Sequence, residues 1–137
     1  MTGVQTCALP ISVDFNGSNQ YIQIPDSSVV NIPAGAADGS GDFSMDAWVK
    51  FDSVANDSGV RVIVEKRTFN APNRYLGYSF YLYDGYLGFQ LADGGAAPGY
   101  SNYGAPALVI KDTNWHFVAV SIARDAAASF LSSVHTG

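Results

Sequence analysis

Apolar and polar residues alternate strictly along the segment from Asp42 to Phe51. The apolar positions on one side are Phe43, Met45, Ala47, Val49 and Phe51. Successive side chains of a β-strand point to opposite faces, so this alternation predicts a strand with one face in a hydrophobic core.

A second strand is predicted from Trp115 to Ile122, where apolar residues occupy both alternating positions. A strand that is apolar on both faces is covered on both, so we expect it in the middle of two packed layers. The run Arg61–Glu65 predicts a further short strand. Turn formers, 14 Gly and 6 Pro, are spread along the chain, as many short strands require. The pattern predicts an all-β fold.

The clearest local signal is Tyr83-Asp84-Gly85-Tyr86 between two apolar runs. An Asp-Gly pair favours the type I′ turn of a two-residue hairpin, because both central residues need positive φ. The turn sets the register: Tyr83 faces Tyr86, and the pairs continue outward to Tyr78 opposite Leu91.

This register divides the hairpin into two faces. The apolar face, which we assign to the core, holds Leu82, Leu87, Phe80, Phe89, Tyr78 and Leu91. The other face holds Tyr83, Tyr86, Tyr81, Ser79 and Gln90. One interpretation of this second face is a platform on which sugar rings stack while phenol and amide groups bind their hydroxyls. The alternative is that the tyrosines pack against the opposite sheet or lie half-buried under a loop.

A loop rich in Gly and Asn is predicted from Asp93 to Pro106. Its tyrosines supply rigid contact area and its amide supplies hydrogen bonds, which is the composition of a recognition loop. The alternative is a simple connection between strands. The candidate ligand-binding residues are therefore Tyr81, Tyr83, Tyr86, Tyr100, Asn102 and Tyr103. Trp48 and Trp115 lie in apolar strands, and we expect them to pack in the core.

Length and charge exclude several classes of partner. The 137 residues have room for one core. The net charge is −5, and the basic residues cluster only at Lys66-Arg67. Nucleic acids and anionic membranes bind a positive patch, so we expect neither as a partner. No apolar run approaches the roughly 18 residues of a membrane span, so membrane insertion is not expected.

The sequences GDFSMDAWVKF, ending at Phe51, and NWHFVAVSI, ending at Ile122, resemble two strands of laminin G-like domains of the concanavalin A-like lectin/glucanase superfamily. The segment Val13–Pro25 resembles the first hairpin of the same family, so its two arms are expected to be strands. The resemblance runs from about Ser12 to Arg124. It implies an antiparallel β-sandwich of the jelly-roll, concanavalin A-like type.

Both ends of the chain depart from this resemblance. Residues 1–11 resemble the conceptual translation of a sequencing adapter and contain Cys7, the only cysteine. After Arg124 the hairpin partner and closing strand of the family are not recognisable, which indicates a sandwich truncated at the C-terminus. We therefore divide the chain into a non-native lead segment 1–11, an incomplete laminin G-like sandwich 12–131 and a suspect tail 132–137.

Catalysis is not expected. Glucanases of this superfamily carry carboxylates in a Glu-x-Asp-x-x-Glu pattern, because retaining glycosidases need an acid and a nucleophile close together. Glu65 is the only glutamate here, and no carboxylate lies two residues from it. His116 and His135 form no convincing hydrolase triad, and there is no Gly-x-Ser-x-Gly motif. We assign no catalytic residues.

Calcium is a candidate cofactor. The resemblance implies it, since many relatives bind Ca²⁺ through the oxygen ligands that this hard cation prefers. The aspartates near predicted turns are Asp14, Asp26, Asp38, Asp42, Asp57 and Asp93. Turn formation is their simpler role, and no spacing singles out a ligand set, so the metal ligands stay unassigned.

Together these features predict a non-catalytic carbohydrate-binding or adhesion module of a larger secreted or cell-surface protein. The expected partners are a polysaccharide or glycan, or an extracellular protein, and other domains of the parent chain. Two alternatives stay open: a purely structural spacer sandwich of a surface or phage protein, and an accessory domain of a glycoside hydrolase whose catalytic part lies outside this sequence. A resemblance in fold alone does not decide between them.

Overall fold

The computed structural model describes residues 12–31, 41–51, 58–70, 74–95, 99–122, 130–131 and 134–135. The predicted lead segment 1–11 lies outside these residues, as does most of the predicted tail. The chain divides into two compact units, Met1–Val30 and Asn31–Gly137.

Within the described residues, all strands belong to the second unit. Their bounds are β1 (Phe43–Val49), β2 (Val60–Asn70), β3 (Arg74–Tyr83), β4 (Tyr86–Asp93), β5 (Tyr100–Val109), β6 (His116–Ile122), β7 (Phe130–Leu131) and β8 (Val134–His135). Strands β2, β3, β4 and β5 follow one another in the long sheet, and β1, β6, β7 and β8 form the short sheet. Every described pairing is antiparallel. The predicted all-β fold with antiparallel sheets is confirmed.

The short sheet contains the two strands predicted from the segments Asp42 to Phe51 and Trp115 to Ile122. β1 and β6 pair along their whole length, from Phe43 opposite Ile122 to Val49 opposite His116. β6 lies between β1 and the short strands β7 and β8. The apolar positions of β1 pack against the core, whereas the positions between them are exposed. The two-residue repeat of the strand therefore explains why one face of β1 is packed and the other is exposed.

The core lies between the two sheets. Its buried residues are Tyr78, Phe80, Leu82, Leu87, Phe89, Ala105, Ile110, Val118, Val120 and Ile122. The ring of Phe43 in the short sheet joins the layers, because its centroid lies 6.3 Å from that of Tyr78 and 5.8 Å from that of Phe89. Burying each large apolar side chain contributes about 1.5–3 kcal/mol, so these contacts hold the sheets together.

The hairpin between β3 and β4 has the predicted register in all six predicted pairs. Asp84 and Gly85 have φ angles of 50° and 83°, as a type I′ turn requires. The turn is also tied to the start of β2. The backbone N–H of Gly59 donates to Oδ1 of Asp84 at 2.7 Å, and the N–H of Asp84 donates to the carbonyl of Gly59 at 3.1 Å.

The predicted first hairpin, Val13–Pro25, is wrong, since residues 12–31 contain no strand. Oδ1 of Asn16 instead accepts hydrogen bonds from the backbone N–H groups of Ser18 and Asn19, at 3.0 and 3.2 Å. This Asx turn satisfies the local backbone without a ladder. A short 3₁₀ helix, Ser28–Val30, follows.

The expectation that Trp48 and Trp115 pack in the core is wrong. They are 58% and 42% exposed. The alternation that buries Phe43 and Val49 places Trp48 on the outer side of the short sheet, where its ring lies 5.5 Å from that of Phe117. Trp115 precedes β6 rather than lying within it.

The predicted loop from Asp93 to Pro106 is also wrong over most of its length. β5 begins at Tyr100 and pairs with β4, so that Tyr100 lies opposite Ala92 and Asn102 lies opposite Gln90. The candidate residues of this segment are therefore on a strand. Their faces follow from alternation rather than from a loop conformation.

Candidate functional site

The outer face of the long sheet, on the side away from the core, carries the polar and tyrosine side chains of the hairpin. Phe80 and Leu82 of β3 are buried in the core, so Tyr81 and Tyr83 between and beside them point outward. A groove of about 450 Å³ runs over this face. Its lining includes residues of all four strands of the long sheet.

The floor of the groove is formed by two glycines and one tyrosine ring. Gly88 is paired with Tyr81 on one side and with Gly104 on the other. The ring of Tyr81 lies across Gly88, because a Cβ at position 88 would be 2.6 Å from Cε2 of Tyr81. The ring covers the backbone at Gly88. The backbone at Gly104 stays bare beside it, because a Cβ there would have no contact closer than the carbonyl oxygen of Leu87 at 3.9 Å.

A polar strip crosses the face next to this floor. Nη1 of Arg67 donates to Oε1 of Gln90 at 2.5 Å, and Nε2 of Gln90 donates to Oδ1 of Asn102 at 2.8 Å. The strip spans β2, β4 and β5. Cross-strand pairing of Gln90 with Asn102 places the two amides side by side.

The charge of the strip is balanced by Glu65. Nε and Nη2 of Arg67 both lie 2.8 Å from Oε1 of Glu65. The guanidinium therefore contacts a carboxylate on one side and an amide on the other. The polar strip carries one positive and one negative charge, and its net charge is zero.

Ser79 lies within the groove lining and is 1% exposed. It is paired with Glu65 on one side and Gln90 on the other, at the level of the polar strip. Among the described residues its Oγ has no hydrogen-bond partner. A buried hydroxyl without a partner costs about 1–3 kcal/mol, so Ser79 lowers the stability of the sheet at this level.

The position of the Tyr81 phenol affects its protonation. Burial raises the pKa of Tyr81, and the nearby positive charge of Arg67 opposes this effect in part. The phenol therefore stays protonated at neutral pH, where it can both donate and accept a hydrogen bond.

Five of the six candidate residues share this outer face. Tyr83, Tyr86 and Tyr100 are exposed, Tyr81 is half-buried, and Asn102 is exposed at the end of the polar strip. Tyr103 is different. It is paired with Phe89 and packs against the core cluster, as alternation from Asn102 requires.

Two residues of the strip, Glu65 and Arg67, were not among the sequence candidates. The register of β2 shifts between Val62 and Val64. This irregularity moves the odd-numbered positions after it onto the outer face, so Glu65 pairs with Ser79 and Arg67 with Gly77. The only sequence signal was the pair of adjacent basic residues, which does not indicate the bulge.

A second polar pair lies away from this face. Nε2 of the buried His116 is 2.7 Å from Oδ1 of Asp112, which also accepts from the backbone N–H of Asn114 at 2.8 Å. These hydrogen bonds, the His116 bond foremost, lower the pKa of Asp112. The pair ties the connection before β6 to the sheet.

The described residues contain no group of three or more His, Cys, Asp or Glu side chains placed to hold a metal ion. Ca²⁺ stays a prediction. Over the same residues, no helix is long and apolar enough to cross a membrane.

Comparison with protein families gives a match over most of the chain. The laminin G model described as concanavalin A-like lectin/glucanases superfamily matches residues 16–132. No curated protein and no solved structure matches the chain.

Proposed function

Because this chain belongs to the concanavalin A-like lectin/glucanases superfamily, we propose that it is a non-catalytic carbohydrate-binding module of a secreted or cell-surface protein. The proposed site is the groove on the outer face of the long sheet. One observation carries the proposal: the ring of Tyr81 lies over Gly88 and beside the bare backbone of Gly104, next to a strip of amides.

This arrangement suits the two surfaces of a sugar ring. The C–H face of a pyranose packs on an aromatic ring, and its hydroxyl groups at the edge need hydrogen-bond partners. Tyr81 supplies the ring, and the bare backbone of Gly104 leaves space beside it for the sugar. Gln90 and Asn102 supply amides at the edge.

The electrostatics favour a neutral, hydroxyl-rich ligand. Arg67, the charged residue in the groove lining, is paired with Glu65 at 2.8 Å, so a carboxylate balances its charge. Hydroxyl groups both donate and accept, which matches the mixed amide, guanidinium and hydroxyl groups of the groove.

The arrangement of Glu65 supports the non-catalytic part of the proposal. Glycoside hydrolysis generally uses two carboxyl groups on opposite sides of the scissile bond. Glu65 is the only glutamate of the chain, and the guanidinium of Arg67 contacts it twice. The carboxylate of Glu65 is therefore engaged with Arg67 rather than turned toward a ligand.

The test is binding to a glycan array, followed by calorimetric titration of the best ligand. Tyr81→Ala is expected to lower affinity by the equivalent of about 0.5–1.5 kcal/mol, the contribution of one aromatic contact beyond buried area. Trp48→Ala is the matched control, because Trp48 is an exposed aromatic residue on the outer face of the other sheet. Its affinity should equal that of the unaltered protein.

Each titration is repeated with Ca²⁺ and with a chelator, which tests the candidate cofactor separately. Failure to bind any glycan under both conditions would overturn the proposal in favour of the spacer alternative or a protein partner. Binding that survives Tyr81→Ala and is lost with Trp48→Ala would place the site on the short sheet instead.

A further inference from the structure

A second group of aromatic side chains lies on the same outer face, beyond the polar strip. The ring of Tyr75 is 5.2 Å from that of Phe69 and 6.0 Å from that of Tyr100, in a T-shaped contact with the latter. Phe69 is 58% exposed and Tyr100 is 38% exposed. These three residues form the distal aromatic cluster, which lies on the opposite side of the polar strip from Tyr81.

Arg67 connects the distal aromatic cluster to the groove. Its Cζ lies 5.5 Å from the centroid of the Tyr75 ring, while its Nη1 donates to Gln90 in the polar strip. One side chain therefore contacts both regions. Glu65 holds the guanidinium of Arg67 in this position through an ion pair. Arg67 therefore links the distal aromatic cluster to the polar strip.

The distance between the two aromatic regions decides which ligand can use both. Tyr75 and Tyr81 are on one strand, six residues apart. At about 3.3 Å per residue this is about 20 Å, which is longer than one or two sugar rings. A ligand that covers Tyr81, the polar strip and the distal aromatic cluster must be an extended chain.

We propose that Phe69, Tyr75 and Tyr100 form a distal subsite that stacks on a further sugar ring of an extended, neutral oligosaccharide. This inference rests on the proposed glycan binding at Tyr81. A glycan chain presents apolar ring faces and hydroxyl groups in turn along its length. The outer face offers matching groups along the strands, with aromatic rings at both ends and hydrogen-bonding groups between them. The subsite is occupied only when the chain is long enough to reach it.

The experiment is a series of oligosaccharides, from the monosaccharide to the hexasaccharide, of the neutral glycan selected on the array. Affinity of the unaltered protein should rise with length and then level off once the chain spans both regions. Tyr100→Ala and Phe69→Ala should each lower affinity for the longest member by about 2- to 13-fold, the equivalent of one aromatic contact. Neither should change affinity for the monosaccharide.

Tyr81→Ala is the comparison, because it should weaken every member of the series. Trp48→Ala should weaken none. The thermal melting curve of each variant shows whether it is folded, and Tyr100→Leu, which keeps an apolar side chain but removes the ring, replaces Tyr100→Ala if the latter does not fold.

Affinity that does not depend on chain length would overturn the distal subsite and leave the proposed function standing. So would equal losses for the monosaccharide and hexasaccharide in the Tyr100 and Phe69 variants. Absence of binding to any glycan would overturn both proposals.

Discussion

The ring of Tyr81 occupies the space that a side chain at Gly88 would fill. The two residues are cross-strand partners, and a Cβ at position 88 would lie 2.6 Å from Cε2 and 2.7 Å from Cζ of the tyrosine. Real atoms do not approach so closely, so one of the two must move when residue 88 has a side chain. The position of the ring therefore depends on a glycine in the neighbouring strand.

Gly88→Ala should displace the ring of Tyr81 and lower glycan affinity about as much as Tyr81→Ala does. The ring is the end of a side chain that can rotate, so the cost in unfolding free energy should be only about 0.5–1.5 kcal/mol, that of a strained rotamer. Nuclear magnetic resonance of the Tyr81 ring would report the displacement. Gly104→Ala is the structural control, because its nearest contact is the carbonyl oxygen of Leu87 at 3.9 Å; an unmoved ring in Gly88→Ala would contradict the prediction.

Gly85→Val should destabilise the β3–β4 hairpin. Gly85 has a φ of 83°, which a β-branched residue adopts only with strain of about 1–3 kcal/mol. Denaturation in urea would measure the loss. Gly85→Asn is the control, since asparagine tolerates positive φ and should lose less. Equal stability of the two variants would mean that the turn does not determine the hairpin.

Phe80→Ala should cost about 3–5 kcal/mol of unfolding free energy, because Phe80 is 1% exposed and lies opposite Phe89 in the core. The total unfolding free energy of a domain is about 5–15 kcal/mol, so this loss would remove a large part of it. Phe80→Leu leaves a smaller cavity and should lie between Phe80→Ala and the unaltered protein. Urea unfolding of all three would give this order, and a loss below about 1 kcal/mol in Phe80→Ala would place the residue outside a packed core.

Glu65→Gln should change the ligand preference of the groove. It removes the carboxylate that neutralises Arg67 at 2.8 Å, so the polar strip gains a net positive charge. Binding of a uronic acid polymer should strengthen relative to the neutral glycan, and the gain should shrink as salt is added. Asp46→Asn makes the same change in charge on the exposed face of the short sheet and should not alter the preference.

The stability of the fold should fall at acid pH in part through Asp112. Its folded-state pKa is lowered by the hydrogen bonds from His116 and Asn114. A lowered carboxyl pKa means that the stabilisation is present above the unfolded value of about 4 and is lost as pH falls through the lower, folded value.

Urea unfolding between pH 6 and pH 2 would measure this contribution. Asp112→Asn keeps an oxygen acceptor but cannot titrate, so its stability should fall less steeply over the acid part of this range. Parallel profiles for the two proteins would show that the Asp112 hydrogen bonds do not contribute.

The strands with strong local signals were predictable. The Asp84-Gly85 turn determines its register within four residues, and the structure has every predicted pair. The alternation from Phe43 to Val49 likewise determines which side of β1 meets the core. Both features depend only on the geometry of one strand or of two neighbouring strands. Local sequence is therefore enough to predict them.

The faces of β2 and β5 were decided by tertiary structure. Val62 lies on the outer face of β2, and simple alternation from it would put the even-numbered residues, such as Val64, on that face as well. The register shift between Val62 and Val64 instead brings the odd-numbered residues Glu65 and Arg67 to the outer face. The bulge is a response to pairing with β3, and pairing partners far along the chain cannot be read from one strand.

For β5 and for the first unit, too, the local sequence did not reveal whether the backbone pairs with a distant strand. The composition of the segment from Tyr100 to Tyr103 is that of a loop, yet its backbone pairs with β4. The segment Val13–Pro25 resembles the first hairpin of the family, yet residues 12–31 contain no strand. Composition and alternation by themselves determined the fold class, the hairpin and the outward tyrosines. Only the pairing of distant strands decided which polar side chains stand beside those tyrosines, because backbone hydrogen bonds between strands depend on both partners at once.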